Sequence, residues 1–188
     1  MKKTLFLILV GVLFCVGTAF SQGVLFVGEM QGVTDASDGG NSTVNVVAST
    51  RDGTPAYRVT GNVTSQFQYG FVGWEYQPDA ATLARLRAMR NTSSISFKVL
   101  GDGRRYTVKF RMPQRLVQDW AHHEFHFNTV AGQVQEVTVQ VRQFMQPAWS
   151  SSPVSMRINQ VDDISWQTHE SWRPGTFDIT IWDIRINQ

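Results

Sequence analysis

The chain has 188 residues, with 17 Lys and Arg against 15 Asp and Glu, and a single cysteine. Lys2 and Lys3 account for the whole basic excess. What remains is charge-balanced, without the concentrated basic patch that a phosphate backbone demands, so nucleic acid is excluded as a partner. One cysteine, Cys15, allows no disulfide within the chain, so a stable domain has to rest on burial of apolar surface, which a chain of this length can supply.

In chain order, Lys2 and Lys3 precede an apolar run from Leu5 to Val16 and the small-x-small triplet Ala19-Phe20-Ser21. This order predicts a cleavable export signal over residues 1–21 and one domain over 22–188, delivered to the periplasm or secreted. The apolar run is too short for a permanent membrane helix, so no stable transmembrane segment is expected after cleavage. Residues 22–30 read as a first strand and 31–43 as a Gly/Asp/Ser/Asn loop. Strands are expected over 44–49, 57–60 and 67–76, with a turn at Arg51-Asp52-Gly53-Thr54-Pro55 between the first two. Residues 79–90 are the one helical stretch: Leu83, Leu86 and Met89 recur at three-residue spacing, and Asp79 is placed to cap it.

Residues 95–100 and 106–111 alternate apolar and polar around Gly101-Asp102-Gly103, which predicts a hairpin. Further alternation predicts strands over 122–128 and 137–141, short extended pieces over 155–160 and 164–166, and a long final strand from Phe177 to Ile186. In that last strand Phe177, Ile179 and Ile181 fill one face and Trp182, Ile184 and Ile186 the other, which either a β-bulge near Ile181 reconciles or a partner covering both faces explains. Many short strands, frequent turns and no βαβ rhythm define an all-β, antiparallel β-sandwich with one short helix.

The residues 95–111, Ile-Ser-Phe-Lys-Val-Leu-Gly-Asp-Gly-Arg-Arg-Tyr-Thr-Val-Lys-Phe-Arg, resemble the central strands of the complex I intermediate-associated protein 30 family. They are also similar to family 11 carbohydrate-binding modules. Asp38-Gly39-Gly40-Asn41-Ser42, Gly70-Phe71-Val72-Gly73, the segment 133–144, Ile164-Ser165-Trp166-Gln167 and the segment 174–186 follow in the family order. The resemblance implies a jelly roll of the galactose-binding-like type. It further implies either assembly work or glycan binding on a concave sheet face, with structural calcium as the cofactor. Similar jelly rolls also occur in flagellar filament sheath proteins.

Candidate ligand-binding residues follow from spacing. Trp120, His122, Glu124 and His126 share one face of a strand, and Lys109 and Arg111 share the polar face of another. If those strands are neighbours, the two rows meet and offer an aromatic ring, charges and hydrogen-bonding groups to a sugar. His122-x-Glu124-x-His126 also has the residue types of a zinc or copper site, whereas plain face alternation produces the same spacing. His123 is expected to point inward. For calcium, Asp35, Asp38 and Asn41 of the first loop, with Asp178 or Asp183 of the last strand, offer hard oxygen ligands. The same residues also serve as ordinary turn caps.

No catalytic machinery is legible. There is no Gly-x-Ser-x-Gly elbow and, after signal removal, no thiol, and nothing brings Glu75 and Glu124 together as a glycosidase pair. The sequence therefore predicts a non-catalytic binding protein of the cell envelope, taking glycan on a sheet face. The alternative is a structural or assembly protein that packs against an envelope protein, as a flagellar sheath component would.

Overall fold

A computed structural model describes residues 23–25, 28–113, 116, 122–150, 153–168 and 174–188. The export-signal segment and Trp120 lie outside the described residues. The strands are β1 (Val24–Leu25), β2 (Gly28–Thr34), β3 (Thr43–Arg51), β4 (Thr54–Val63), β5 (Val72–Pro78), β6 (Ser94–Leu100), β7 (Arg105–Arg111), β8 (His123–Asn128), β9 (Val134–Gln140), β10 (Asp163–Thr168) and β11 (Gly175–Asn187). They form two antiparallel sheets. The first runs β3-β4-β11-β6-β9, with β1 also on β11, and the second runs β2-β5-β10-β7-β8. This is the sandwich that the alternation predicts.

The two sheets close on a core rich in aromatic side chains. Trp74, Trp166, Tyr106, Phe97 and Phe110 are fully buried. Phe97 meets Trp166 edge to face at 5.6 Å, and Trp74 stacks on Phe177 at 6.1 Å, geometries that suit ring quadrupoles. The single α-helix among the described residues, α1 (Ala80–Arg87), begins where Asp79 accepts the Thr82 N–H at 2.7 Å. Its apolar stripe, with Leu86 buried, faces the core.

The turn between β3 and β4 has positive φ at both Asp52 (51°) and Gly53 (74°), the requirement of a tight type I′ hairpin. That turn folds onto the outer face of the first sheet. There the Asp52 carboxylate accepts the Trp182 indole N–H at 2.9 Å, and the Arg51 guanidinium lies 4.3 Å above the ring. Trp182 is only 1% exposed although it points away from the core. The expected bulge exists. The β11–β6 register shifts between Trp182 and Arg185, and Asp183 takes φ 53°. Phe177, Ile179 and Ile181 face inward before it, and Ile184 and Ile186 face inward after it.

Two expectations are corrected. β6 and β7 do not form a hairpin. β6 pairs with β11 and β9, while β7 pairs with β10 and β8 in the other sheet. Gly101-Asp102-Gly103 carries the chain across the sandwich instead of back along it. Alternation fixes which side chains face the core, and both strands satisfy it from opposite sheets, so the pattern contains no information on pairing. The strand expected over 67–76 begins only at Val72, because residues 67–70 turn, with Gly70 N–H bonded to Phe67 O at 3.0 Å.

Candidate functional site: the outer face of the second sheet

Residues of the second sheet that do not face the core form polar rows running across the strands. Gln31, Glu75, Ser165, Lys109 and Glu124 are successive neighbours from β2 to β8. Val33, Gly73, Gln167, Thr107 and His126 form the next row, and Asp163 stands opposite Arg111 beside them. Neighbouring strands thus bring the Lys109/Arg111 row against the Glu124/His126 row, as the sequence reading requires. Although they belong to an outer face, Thr107 and Ser165 are buried, so the centre of the face lies below its surrounding side chains.

Charged groups on this face are linked to one another. Arg111 bonds Glu75 and, at 3.3 Å, Asp163. Lys109 donates to the Gln167 side-chain carbonyl. His122 Nε2 lies 2.9 Å from one Glu124 oxygen and His126 Nε2 lies 3.3 Å from the other. A carboxylate only accepts, so both imidazoles present Nε2–H to it, and the Nδ1 of His126 meets the Thr107 hydroxyl 3.0 Å away. The two histidines are joined through Glu124 and do not converge on a common point. Among the described residues no three His, Cys, Asp or Glu side chains are grouped as a metal ion requires.

Burial and charge set the proton affinities here. Desolvation lowers the Lys109 ammonium to about 8, against the smaller opposing pull of Glu124 and Asp163. Desolvation raises the Asp163 carboxyl to about 6 despite Arg111; its Oδ1 is buried with no hydrogen-bond donor among the described residues. Burial would raise Glu124 as well, but the hydrogen bond from His122 and the charges of His122, His126 and Lys109 outweigh it and hold the group below its ordinary value.

His123 points inward as expected, with Nε2 2.9 Å from the Val154 carbonyl. The sequence reading missed Glu75, Asp163, Ser165 and Gln167 as partners on the face. Their own alternation marks them as outward, but only the strand order places them beside Lys109 and Arg111. From the sequence, Trp149 is a loop aromatic, either a lid over the sheet edge or an interaction anchor. The loop holding it is stitched to the edge strand β8 by two backbone bonds between Met145 and Glu124, at 2.8 and 3.0 Å. Trp149 stands edge-on to His122 at 5.9 Å and is 58% exposed, a free ring at the rim of the face.

The five oxygen donors suggested for calcium do not come together. Asp35 is buried and accepts both the Ser42 N–H (3.0 Å) and the Ser42 hydroxyl (2.8 Å). Ser42 Oγ in turn accepts the Thr64 N–H, tying two loops into one knot. Asn41 accepts the Thr64 hydroxyl, and Asp38 is exposed. On β11, Asp178 pairs with Arg58 at 2.6 Å, and Asp183 pairs with Lys98 at 3.2 Å and with Arg185 at 2.5 Å.

Solved structures of similar fold include carbohydrate-binding modules. The family 11 module of a cellulosomal cellulase of Clostridium thermocellum superposes with a TM-score of 0.56 at 13% identity, over 89% of this chain and 91% of that one. The Clostridium thermocellum family 11 module in complex with a beta-1,3-1,4-mixed-linked tetrasaccharide gives 0.55 at 14%, over 89% and 92%. A family 30 carbohydrate-binding module gives 0.55 at 15%, over 90% and 96%. Among curated proteins, none matches the chain in sequence. Identities this low establish a shared fold and nothing finer. The family model of complex I intermediate-associated protein 30 matches residues 20–181, nearly the whole of the described sandwich. The chain belongs to the complex I intermediate-associated protein 30 family.

Proposed function

We propose that this protein is a non-catalytic binding protein of the cell envelope that takes glycan on the outer face of its second sheet. One observation carries the reading. A sunken, hydrogen-bonded polar face, built by Lys109, Arg111, Glu124, His126 and Gln167, is bordered by the exposed ring of Trp149. Sugars present hydroxyls that both donate and accept and apolar ring faces that stack, and this face supplies counterparts for both. The relatives in fold support it, since one of them is seen with a mixed-linked tetrasaccharide. Trp120, in step with His122, Glu124 and His126 in the sequence, joins the proposal as a second aromatic residue.

Isothermal titration with a mixed-linked β-glucan tetrasaccharide and a panel of other oligosaccharides tests the reading. Trp149→Ala and Lys109→Met are each expected to weaken binding at least tenfold while leaving the fold intact by circular dichroism. Failure of every glycan in the panel would remove the reading and leave an envelope protein as the partner. Met145 (68% exposed), next to Trp149 on the loop stitched to β8, would then provide the apolar contact for it.

A further inference from the structure

A groove of about 620 Å³ lies away from this face, where β4 and β11 of the first sheet meet the 101–104 crossing. Its volume falls within the roughly 300–1,000 Å³ range of small-ligand sites. Thr60, Thr176, Phe177 and Asp178 line it from the sheet, and Asp102 and Arg104 from the crossing. Gly61 and Gly103 complete the lining. A side chain at Gly61 would strike the Phe177 ring and the Thr43 carbonyl, so this stretch of β4 has no room for one.

The polar groups of the groove are held in place before any ligand arrives. Asp102 Oδ1 accepts the Arg104 N–H and the Tyr106 hydroxyl, each at 3.0 Å, and Oδ2 accepts the Asp178 N–H at 3.0 Å. Arg104 reaches Asp102 at 3.8 Å and the Pro174 carbonyl at 3.4 Å. The backbone makes way for it, since a Cβ on Gly175 would come within 2.9 Å of Arg104 Nη2. Asp178 is paired with Arg58. Two carboxylates and two guanidiniums cancel. A phosphate would need surplus positive charge and a divalent cation surplus oxygen ligands, and neither surplus is present.

We infer that this groove is a second saccharide site, taking one neutral pyranose by its adjacent hydroxyls. Carboxylates only accept hydrogen bonds, guanidiniums only donate, and the threonine hydroxyls do both; adjacent sugar hydroxyls satisfy all three kinds in one ring. Because Asp102 and Arg104 are fixed by their own contacts, little side-chain ordering opposes binding. The site extends the glycan reading but is made of different residues, so each can fail alone.

The test is an amide-shift titration by NMR of the chain with methyl β-glucoside and with the mixed-linked tetrasaccharide. The amides of Gly61, Gly103 and Thr176 are expected to move at millimolar sugar. Thr176→Trp, an exposed strand position, should fill the groove and weaken these shifts at least tenfold without disturbing those of Lys109, Glu124 and Gln167. Asp178→Asn, which keeps the backbone bond to Asp102, should weaken them at least threefold. Shifts confined to the second-sheet face would overturn the groove and leave the first reading standing. Shifts confined to the groove would do the reverse, and no shifts at either site would overturn both. Groove shifts that persist in Thr176→Trp would also overturn it.

Discussion

The outer faces of the two sheets handle the same problem, a layer of side chains pointing away from the core, in opposite ways. On the first sheet, the largest apolar side chain there, Trp182, is covered, while Val47 and Val134 stay exposed as single residues. Trp182 is roofed by Arg51 and tethered by Asp52, and its neighbours Thr180, Asp178 and Lys98 are polar groups in water or in surface ion pairs. On the second, Val33 is the one apolar side chain named in the outward rows, and charged groups are drawn below the surface and satisfied by one another. Burying charge opposes folding unless partners compensate. The second face carries a connected network of such groups, whereas the first holds Asp183 in a single local cluster with Lys98 and Arg185, and the network is the better candidate for recognition.

The largest expected effect separates stability from binding. Trp182→Ala should cost about 3–5 kcal/mol in urea unfolding, as truncation of a buried tryptophan does, and leave glycan titrations unchanged. A loss below about 1 kcal/mol would mean that the Arg51–Asp52 roof contributes nothing.

Next comes the pH dependence of the second face. Asp163 has its folded value raised from 3.8 to about 6. The folded chain therefore holds the proton more tightly, and stability falls as pH rises between those values. Lys109 is lowered from 10.5 to about 8, so the unfolded chain holds more proton between them and stability rises as pH climbs from about 8 to 10.5. Each contribution is at most about 3 kcal/mol. Asp163→Asn should flatten the acidic limb and Lys109→Met the alkaline limb, each read as wild type minus variant in chemical unfolding across pH. Parallel curves would show that these groups are solvated like those of the first face.

A smaller contrast compares one residue type on both faces. Thr107→Val removes a buried hydroxyl from His126 and should cost about 1 kcal/mol or more. Thr138→Val on exposed β9 should stay within about 0.5 kcal/mol. The smallest expected effect is that of chelation. Asp35, Asp178 and Asp183 already have partners, so EDTA should leave the melting temperature unchanged. A drop of several degrees would show that the protein holds a divalent ion.

Much of this contrast was legible before the fold was known, because alternation reports which face a residue takes. Lys109, Arg111, Glu124 and His126 were assigned to one side correctly, and so was the parity change in β11 that the bulge resolves. What stayed hidden depends on strand order. Asp163 and Gln167 join Lys109 only because β10 inserts between β5 and β7, and no local pattern encodes that insertion. The Trp182 roof was equally hidden. An outward tryptophan looks like a core residue until the hairpin that covers it has been placed. Asp35 shows a different limit of local reading. Its neighbours suggested a metal loop, whereas a serine seven residues on supplies the donors it needs.

The position of β11 has a consequence for how the chain acquires its structure. The last strand is the middle of the first sheet, with β4 and β1 on one side and β6 on the other. Until residues 175–187 are available, the flanking strands have no common partner, and the closing contacts span most of the sequence. Folding should therefore be slow for a domain of this size, with non-local pairings setting the rate. Deleting the last strand should remove the native state altogether, whereas trimming the edge strand β9 would only shorten a sheet.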